Sequence, residues 1–238
     1  MMKQEQNTVE DWTPRTSLGR LVKTKQITSI DKILDEGRTI LEAEIVDALI
    51  PELETELLLI GQAKGKFGGG QRRIFKNTQK KTKEGNKPKF AVMAVVGDRN
   101  GHIGIGVGSS KETVPAREKA IRQAKLNLFK IRRGSGSWES SSVDEPHTIP
   151  FAVEGKCGSV IVRLMPAPKG KGLTVEKETA KVLELAGLKD VWSKSYGQTK
   201  NKINMITALE GALKKLSTMK VQERFEKTLS ITEGSKAV

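Results

Sequence analysis

Residues 90–108 read Phe90-Ala-Val-Met-Ala-Val-Val-Gly97-Asp-Arg-Asn-Gly101-His-Ile-Gly-Ile-Gly-Val-Gly108. The run from Phe90 to Val96 is apolar at every position, which predicts a central strand buried on both faces. Gly97 to Gly101 is a hairpin turn, and Asn100-Gly101 suits the two positive-φ positions of a type I′ turn. The return strand alternates, with Ile103, Ile105 and Val107 on one face and Gly104, Gly106 and Gly108 on the other. A face of glycines has no side chains, so a neighbouring element approaches its backbone closely. A helix follows over about 114–131, its stripe formed by Ile121, Ala124, Leu128 and Ile131, with Lys119, Arg122 and Lys125 on the far side.

Towards the N-terminus, the apolar run 57–60 has strand length and leads into a loop of glycine and cations, 61–73. A basic strand is expected near 73–78 and a mobile hairpin tip over 80–89. Residues 1–28 read as an extended arm anchored by Trp12, Leu18, Leu21 and Val22. Two short helices close this region. One covers 30–36 between an N-cap at Ser29 and Gly37, the other covers 42–50 and stops at Pro51.

Towards the C-terminus, the Ser- and Gly-rich stretch 135–142 reads as a linker. Strands are expected near 149–153 and 160–165, followed by the glycine-lysine loop 166–173. Thr174 is the expected cap of the next helix, which ends at Gly187. A strand over 190–196 precedes a helix over 202–217, with Ile206, Leu209, Leu213 and Leu216 on one stripe. From 228 the sequence reads as a tail.

The 238 residues carry 42 Lys+Arg against 28 Asp+Glu, a formal net charge of +14. The excess is concentrated. Residues 1–60 are net −5, whereas 61–89 are net +9, 111–133 net +6 and 191–220 net +5. Such a balance points to a polyanion, most often nucleic acid. Aromatics are 4% of the residues, which argues against stacking of bases on an aromatic strand. Cys157 is the only cysteine, which excludes an intrachain disulfide and a Cys-rich zinc site. No apolar run has the length of a membrane span and the start lacks a signal peptide's apolar core, so a cytoplasmic location is expected.

Gly104 to Gly108 has the spacing G-x-G-x-G, not the G-x-G-x-x-G of a dinucleotide site, so close packing of strand and helix is the expected reason for it. Lys169-Gly-Lys-Gly172 before a helix suits a phosphate, because free N–H groups and the helix dipole favour anions. With no acidic cluster nearby to hold Mg²⁺, the phosphate of a nucleic-acid backbone is the preferred ligand. His102 and His147 have no nucleophile or carboxylate at motif spacing and are expected to be ordinary polar positions. Cys157 is expected to be a small packed residue.

The segment from Val95 to Ile121, which contains Val-Val-Gly-Asp, the alternating glycines and a helix with Ala120-Ile121, closely resembles the signature of the small-subunit ribosomal protein five family. Resemblance continues through Gly155 to Arg163, Pro166 to Leu173 and the last long helix, covering about 50–220. The arm, with Ile27-Thr-Ser-Ile-Asp31 and Glu44-Ile-Val-Asp-Ala-Leu49, resembles the archaeal and eukaryotic branch.

The resemblance implies an α+β fold with an arm over 1–50 bearing two short helices. A double-stranded-RNA-binding-like α-β-β-β-α domain over 51–133 and a C-terminal α+β domain over 134–220 follow, the latter with a left-handed βαβ crossover. A tail over 221–238 ends the sequence. The implied function is that of a structural constituent of the small ribosomal subunit. It binds rRNA where mRNA enters and supports assembly, decoding accuracy and mRNA passage, with no catalysis and no cofactor. Implied partners are small-subunit rRNA, mRNA, and ribosomal proteins four and eight, with protein two as a further candidate and no membrane. The rRNA-binding residues expected from the cationic loops are Lys64, Lys66, Arg72, Arg73, Lys76, Lys80, Lys81, Arg99, Lys111, Lys156, Lys169 and Lys171. RNA duplexes are read through phosphates and 2′-hydroxyls by such cations and by backbone N–H groups. Two alternatives stand beside this reading: a kinase-like nucleotide binder using 166–173, and a stand-alone double-stranded-RNA-binding regulator.

Overall fold

The structure is a computed structural model and describes residues 12–63, 70–138 and 145–237. Its organising element is one long strand, β3 (Gly85–Gly97), which is partnered along its whole length. On one edge β1 (Glu54–Leu57) pairs with its C-terminal end and β2 (Phe75–Thr82) with its N-terminal part. On the other edge lies β4 (His102–Ser110), followed outward by β5 (Leu128–Lys130).

The two faces of β3 serve two packing layers, because successive side chains alternate. Val92, Ala94 and Val96 face helix α4 (Thr113–Leu126), which buries Ala116, Ala120 and Ala124. The three glycines of β4 lie directly under those alanines. A Cβ at Gly106 would overlap the Ala120 carbonyl oxygen and the Ala124 nitrogen, and one at Gly108 would overlap Ala116 and Ala120. The expected close approach is therefore present. The helix, however, ends at Leu126 rather than near 131, and its buried stripe is alanine. Leu128 leaves the helix because it pairs with Gly104, and long-range strand pairing overrides the local helical period.

Of the segment 1–28 expected as an extended arm, 1–11 lie outside the described residues and 17–23 are helical, while the two short helices expected after it are present. This region forms α1 (Ser17–Lys23), α2 (Ile30–Asp35) and α3 (Ala43–Leu49), which add Leu18, Val22, Ile30, Ile33, Ile45 and Val46 to the cluster around α4. The first turn of α1 is stapled by Glu42, whose carboxylate accepts from Thr16 N (2.6 Å), Arg15 N (3.0 Å) and Trp12 Nε1 (2.9 Å). Burial pushes the Glu42 carboxyl up, but these hydrogen bonds outweigh it and hold the group below its ordinary value. Ser29 precedes α2 as expected but makes no capping hydrogen bond through its hydroxyl.

The other face of β3, with Met93 and Val95 joined by Ile103 and Ile105 of β4, packs on a second sheet in one continuous core. That sheet has the order β7-β8-β10-β9, from β7 (Val153–Cys157), β8 (Val160–Pro166), β9 (Leu173–Thr174) and β10 (Val191–Tyr196). The first strand of this half thus starts at Val153, where 149–153 was expected. Between the parallel β9 and β10 runs α5 (Lys177–Leu185). Its N-cap is Glu176, which accepts from Glu178 N and Thr179 N, while Thr174 belongs to β9 and does not cap. Helix α6 (Lys202–Thr218) buries Ile206, Leu209, Leu213 and Leu216 as the stripe predicts.

Three more expectations change. The β2–β3 pairing continues to Thr82↔Gly85, so the 80–89 segment is a strand ribbon closed by a tight turn, because the ladder satisfies its backbone groups up to that turn. In the β3–β4 turn the positive φ angles fall on Arg99 (59°) and Gly101 (95°), not on Asn100. Asp98 Oδ1 accepts from Asn100 N and His102 N and so sets this different turn. The end of the sequence is docked rather than trailing. After α7 (Glu223–Thr228), β11 (Thr232–Glu233) pairs with β6 (Arg132–Arg133) and with β12 (Lys236–Ala237).

Candidate nucleic-acid interface

Residues opposite each other in an antiparallel pair share a face. In the β2–β3 ribbon, Lys76, Thr78 and Lys80 stand opposite Ala91, Lys89 and Lys87. One face thus carries four exposed lysines, Lys76, Lys80, Lys87 and Lys89. Lys80 and Lys87 are directly opposed, an arrangement that is unfavourable on its own. An exposed carboxylate, Glu84, reaches Lys87 at 3.1 Å. Lys81 lies on the reverse face, opposite Asn86. Lys111, at the end of β4, joins the ribbon: it lines a shallow cleft with Lys80, Lys87, Lys89 and Lys119.

The loop of glycine and cations at 61–73 is closed at its neck, where the described residues on its two sides meet. Gly61 N donates to Arg73 O at 2.8 Å, and Ala63 bridges Arg72. Lys64 and Lys66 lie outside the described residues. Arg73 is exposed, whereas Arg72 turns its Nη1 towards the carbonyls of Gly61 and Lys200, each at 3.5 Å. It thereby spans to the turn before α6. Arg72, Lys76, Lys200 and Lys202 line one cleft of about 590 Å³ there.

The remaining expected residues are elsewhere. Arg99 sits at the opposite end of β3 and pairs with Glu54 at 2.7 Å. Lys156 is exposed on β7, and Lys169 lies 3.3 Å from Glu145. Lys171 is exposed, but the phosphate cradle expected around it is already filled. Gly172 N donates to Asp190 Oδ1 at 2.7 Å, and the N–H groups that open α5 are taken by the Glu176 carboxylate.

The structure thus gathers Arg72, Arg73, Lys76, Lys80 and Lys111 at one end of the molecule and leaves Arg99, Lys156, Lys169 and Lys171 apart. Lys87, Lys89, Lys119, Lys200 and Lys202 were not singled out from the sequence. For Lys87 and Lys89 the signal was available: a two-residue turn at 83–84 puts them on the face of Lys76 and Lys80.

The two histidines, expected to be ordinary polar positions, are both buried and held by carboxylates. His102 is buried with Nδ1 2.5 Å from Asp98 Oδ2 and Nε2 2.7 Å from Asp31 Oδ1. Burial pushes its pKa down, but the hydrogen bonds and charges of Asp98 and Asp31 outweigh this and raise it above 6.5. His147 is buried against Asp190, Nδ1 to Oδ2 at 2.9 Å. No group of three or more His, Cys, Asp or Glu residues fit to hold a metal ion occurs among the described residues. No helix among them is long and apolar enough to cross a membrane.

Two α+β parts with a cationic ribbon at one end have the character of a nucleic-acid-binding protein, and comparison with known proteins gives the family. Residues 74–132 match the family described as ribosomal protein S5, N-terminal domain, and residues 155–226 match ribosomal protein S5, C-terminal domain. The small ribosomal subunit protein uS5 of Nanoarchaeum equitans is 51% identical over 227 residues, covering 95% of this chain and 97% of that one. The uS5 proteins of Methanocaldococcus jannaschii and Methanobrevibacter smithii are 43% and 44% identical, each over at least 94% of this chain and 97% of the relative. The chain belongs to the uS5 family of ribosomal proteins, with homologues of the archaeal type; it is a structural ribosomal protein and not an enzyme.

Proposed function

We propose that this protein, in the cytoplasm, binds small-subunit rRNA near the point where mRNA enters and there supports subunit assembly, decoding accuracy and mRNA passage. The observation that carries this reading is the direct opposition of Lys80 and Lys87, flanked by Lys76 and Lys89 on one exposed face. Four cations held together, with Glu84 reaching only one of them, are relieved by a phosphate backbone. Arg72, Arg73 and Lys111 extend the contact, with Lys64 and Lys66 on the loop and Lys81 on the reverse face. Arg99, Lys156, Lys169 and Lys171 are secondary contacts, their positions being remote from the ribbon. Ribosomal proteins four, eight and two are the proposed neighbours. In the same reading, residues 51–133 and 134–220 are the family's two domains, and β9–α5–β10 is its left-handed crossover.

The test is the salt dependence of rRNA binding by the protein with Lys76, Lys80, Lys87 and Lys89 all replaced by Gln. The slope of log K against log salt shrinks by roughly 0.7–0.9 per lost contact, about 3 for all four. The variant also stays at the top of a gradient in which the parent sediments with small subunits. An unchanged slope with intact folding would overturn the reading.

A further inference from the structure

The C-terminal hairpin, residues 229–237, lies over a buried pair, His102 Nε2 and Asp31 Oδ1, 2.7 Å apart. Gly234, in the turn between β11 and β12, touches both: a Cβ there would lie 2.5 Å from Asp31 Oδ1 and 3.0 Å from His102 Nε2. Its neighbour Ser235 donates from Oγ to Asp31 Oδ2 at 2.6 Å, across 204 residues. Asp31 belongs to α2, so the N-terminal helices and the C-terminal hairpin meet on one carboxylate.

The hairpin is held mainly by polar contacts. Ile231 is buried but belongs to neither of the two main apolar clusters. β11 pairs with β6 over two residues, Thr232 with Arg133 and Glu233 with Arg132. Glu233 lies 3.3 Å from Lys130 Nζ and from Arg132 Nε, and Arg133 Nη2 donates to Gly234 O at 3.1 Å. The seam is incomplete: Thr232 Oγ1 and Arg133 Nε, on opposed residues, are buried without a hydrogen-bond partner. Keeping such atoms dry costs free energy that water returns on opening. With little apolar burial and an incomplete polar seam, the hairpin sits at the low end of local stability. Helix α2, by contrast, sets Ile30 and Ile33 in the cluster around α4.

We propose that the hairpin is a releasable lid: shut, it locks α2 to the β3–β4 turn through Asp31 and His102, and it opens locally, with the core intact, when the imidazole loses a proton. Two carboxylates, Asp31 and Asp98, face the two ring nitrogens. An imidazolium donates to both, whereas a neutral ring has one N–H and leaves one carboxylate against a lone pair. A buried carboxylate in that position gains by taking up water, and the lid is what keeps water out. Lys130, in register with His102, is engaged by Asp35 and Glu233, and Arg133 feels the charge of Asp98. Lysine and arginine stay charged near neutral pH, so the imidazole sets the trigger. Because Ser235 supplies the closing contact, the N-terminal helices, synthesised first, are secured only once residue 235 has been added.

The test is amide hydrogen exchange of the full-length ¹⁵N-labelled protein, corrected for the intrinsic effect of pH, with the His102 ring followed by its ¹⁵N shifts. As the ring titrates, protection of Gly234 N, which donates to Ile131 O, and of Ser135 N, which donates to Leu229 O, is expected to fall at least about tenfold, while the amides of α6 keep theirs. His102→Gln lacks this step. Ser235→Ala, at an exposed position that leaves the fold intact, removes one hydrogen bond to a carboxylate. At a pH where the ring is charged it lowers protection at Glu36 N, which closes α2 onto Lys32 O, about tenfold. Asp31→Asn acts in the other direction, on Gly234 N, because coupling between two elements is reciprocal. Loss of protection in the hairpin and α6 together would mean that the whole protein opens. Unchanged protection at Glu36 N in Ser235→Ala would mean that the lid does not hold the N-terminal helices. Either result overturns the proposal, as does a hairpin whose protection ignores the His102 titration.

Discussion

His102 joins Asp31, 71 residues earlier in the sequence, through Nε2 to Oδ1 at 2.7 Å, and both side chains are 2% exposed. The other oxygen of Asp31 accepts from Ser235 Oγ at 2.6 Å, and the other nitrogen of His102 lies 2.5 Å from Asp98 Oδ2. One buried imidazole thus ties α2, the β3–β4 turn and the C-terminal hairpin together. Two carboxylates on one ring require the imidazolium, so the joint depends on pH.

The sign follows from the directions of the shifts. His102 has its folded pKa raised above 6.5, so its contribution to stability is full below about 6.5 and is lost as pH rises through the higher folded value. Asp98 has its folded pKa lowered below 3.8, so its contribution is present above that value and lost as pH falls through the folded one. Thermal unfolding of the parent should therefore lose stability on the alkaline side in a step that His102→Gln lacks. Parallel pH profiles for the two proteins would rule this out.

Gly106 faces the backbone of α4, and any Cβ there would overlap Ala120 and Ala124. Gly106→Ala forces α4 away from β4 and should cost roughly 1–3 kcal/mol, with Gly106→Val at the upper end or beyond. Chemical denaturation measures it. An unchanged midpoint would mean that the strand and helix are not in contact.

Gly211 is the opposite case. It lies inside α6, and a Cβ there meets nothing within 4 Å. Gly211→Ala should stabilise the protein by about 0.5–1 kcal/mol through helix propensity. A lower melting temperature would show an unrecognised contact at this point.

Glu42 holds the start of α1 through three hydrogen bonds, one of them from the Trp12 indole. Glu42→Ala leaves two backbone N–H groups and the indole to find water, and should cost about 1–3 kcal/mol. Local release would also red-shift the Trp12 emission, which a Trp12-only variant (Trp138→Phe, Trp192→Phe) resolves. Unaltered emission together with unaltered stability would remove Glu42 from this role.

Much of the interior was legible because it follows local periods. The apolar run of β3, the alternating glycines of β4 and the α6 stripe at Ile206, Leu209, Leu213 and Leu216 are each spelled within a few residues. The cationic segments were legible as charge. What the period misjudged was α4, where the stripe through Leu128 and Ile131 is helical in spacing but Leu128 pairs with Gly104. At 80–89 the turn residues showed a hairpin tip, but not that the backbone ladder runs to its last turn.

By itself the sequence determined the central strand β3 with its return strand β4, the buried stripe of α6, where the charge lies and to which family the protein belongs, because these depend on neighbours along the polypeptide. Only the tertiary structure decided which cations stand together. Lys80 meets Lys87 through hairpin register, and Arg72 reaches Lys200 across 128 residues. It alone also seated His102 between Asp98 and Asp31, left His147 Nε2 without a partner and docked β11 on β6. Each of these rests on contacts between segments brought together by folding, and no local spacing encodes a contact whose energy is realised only after the polypeptide has folded back on itself.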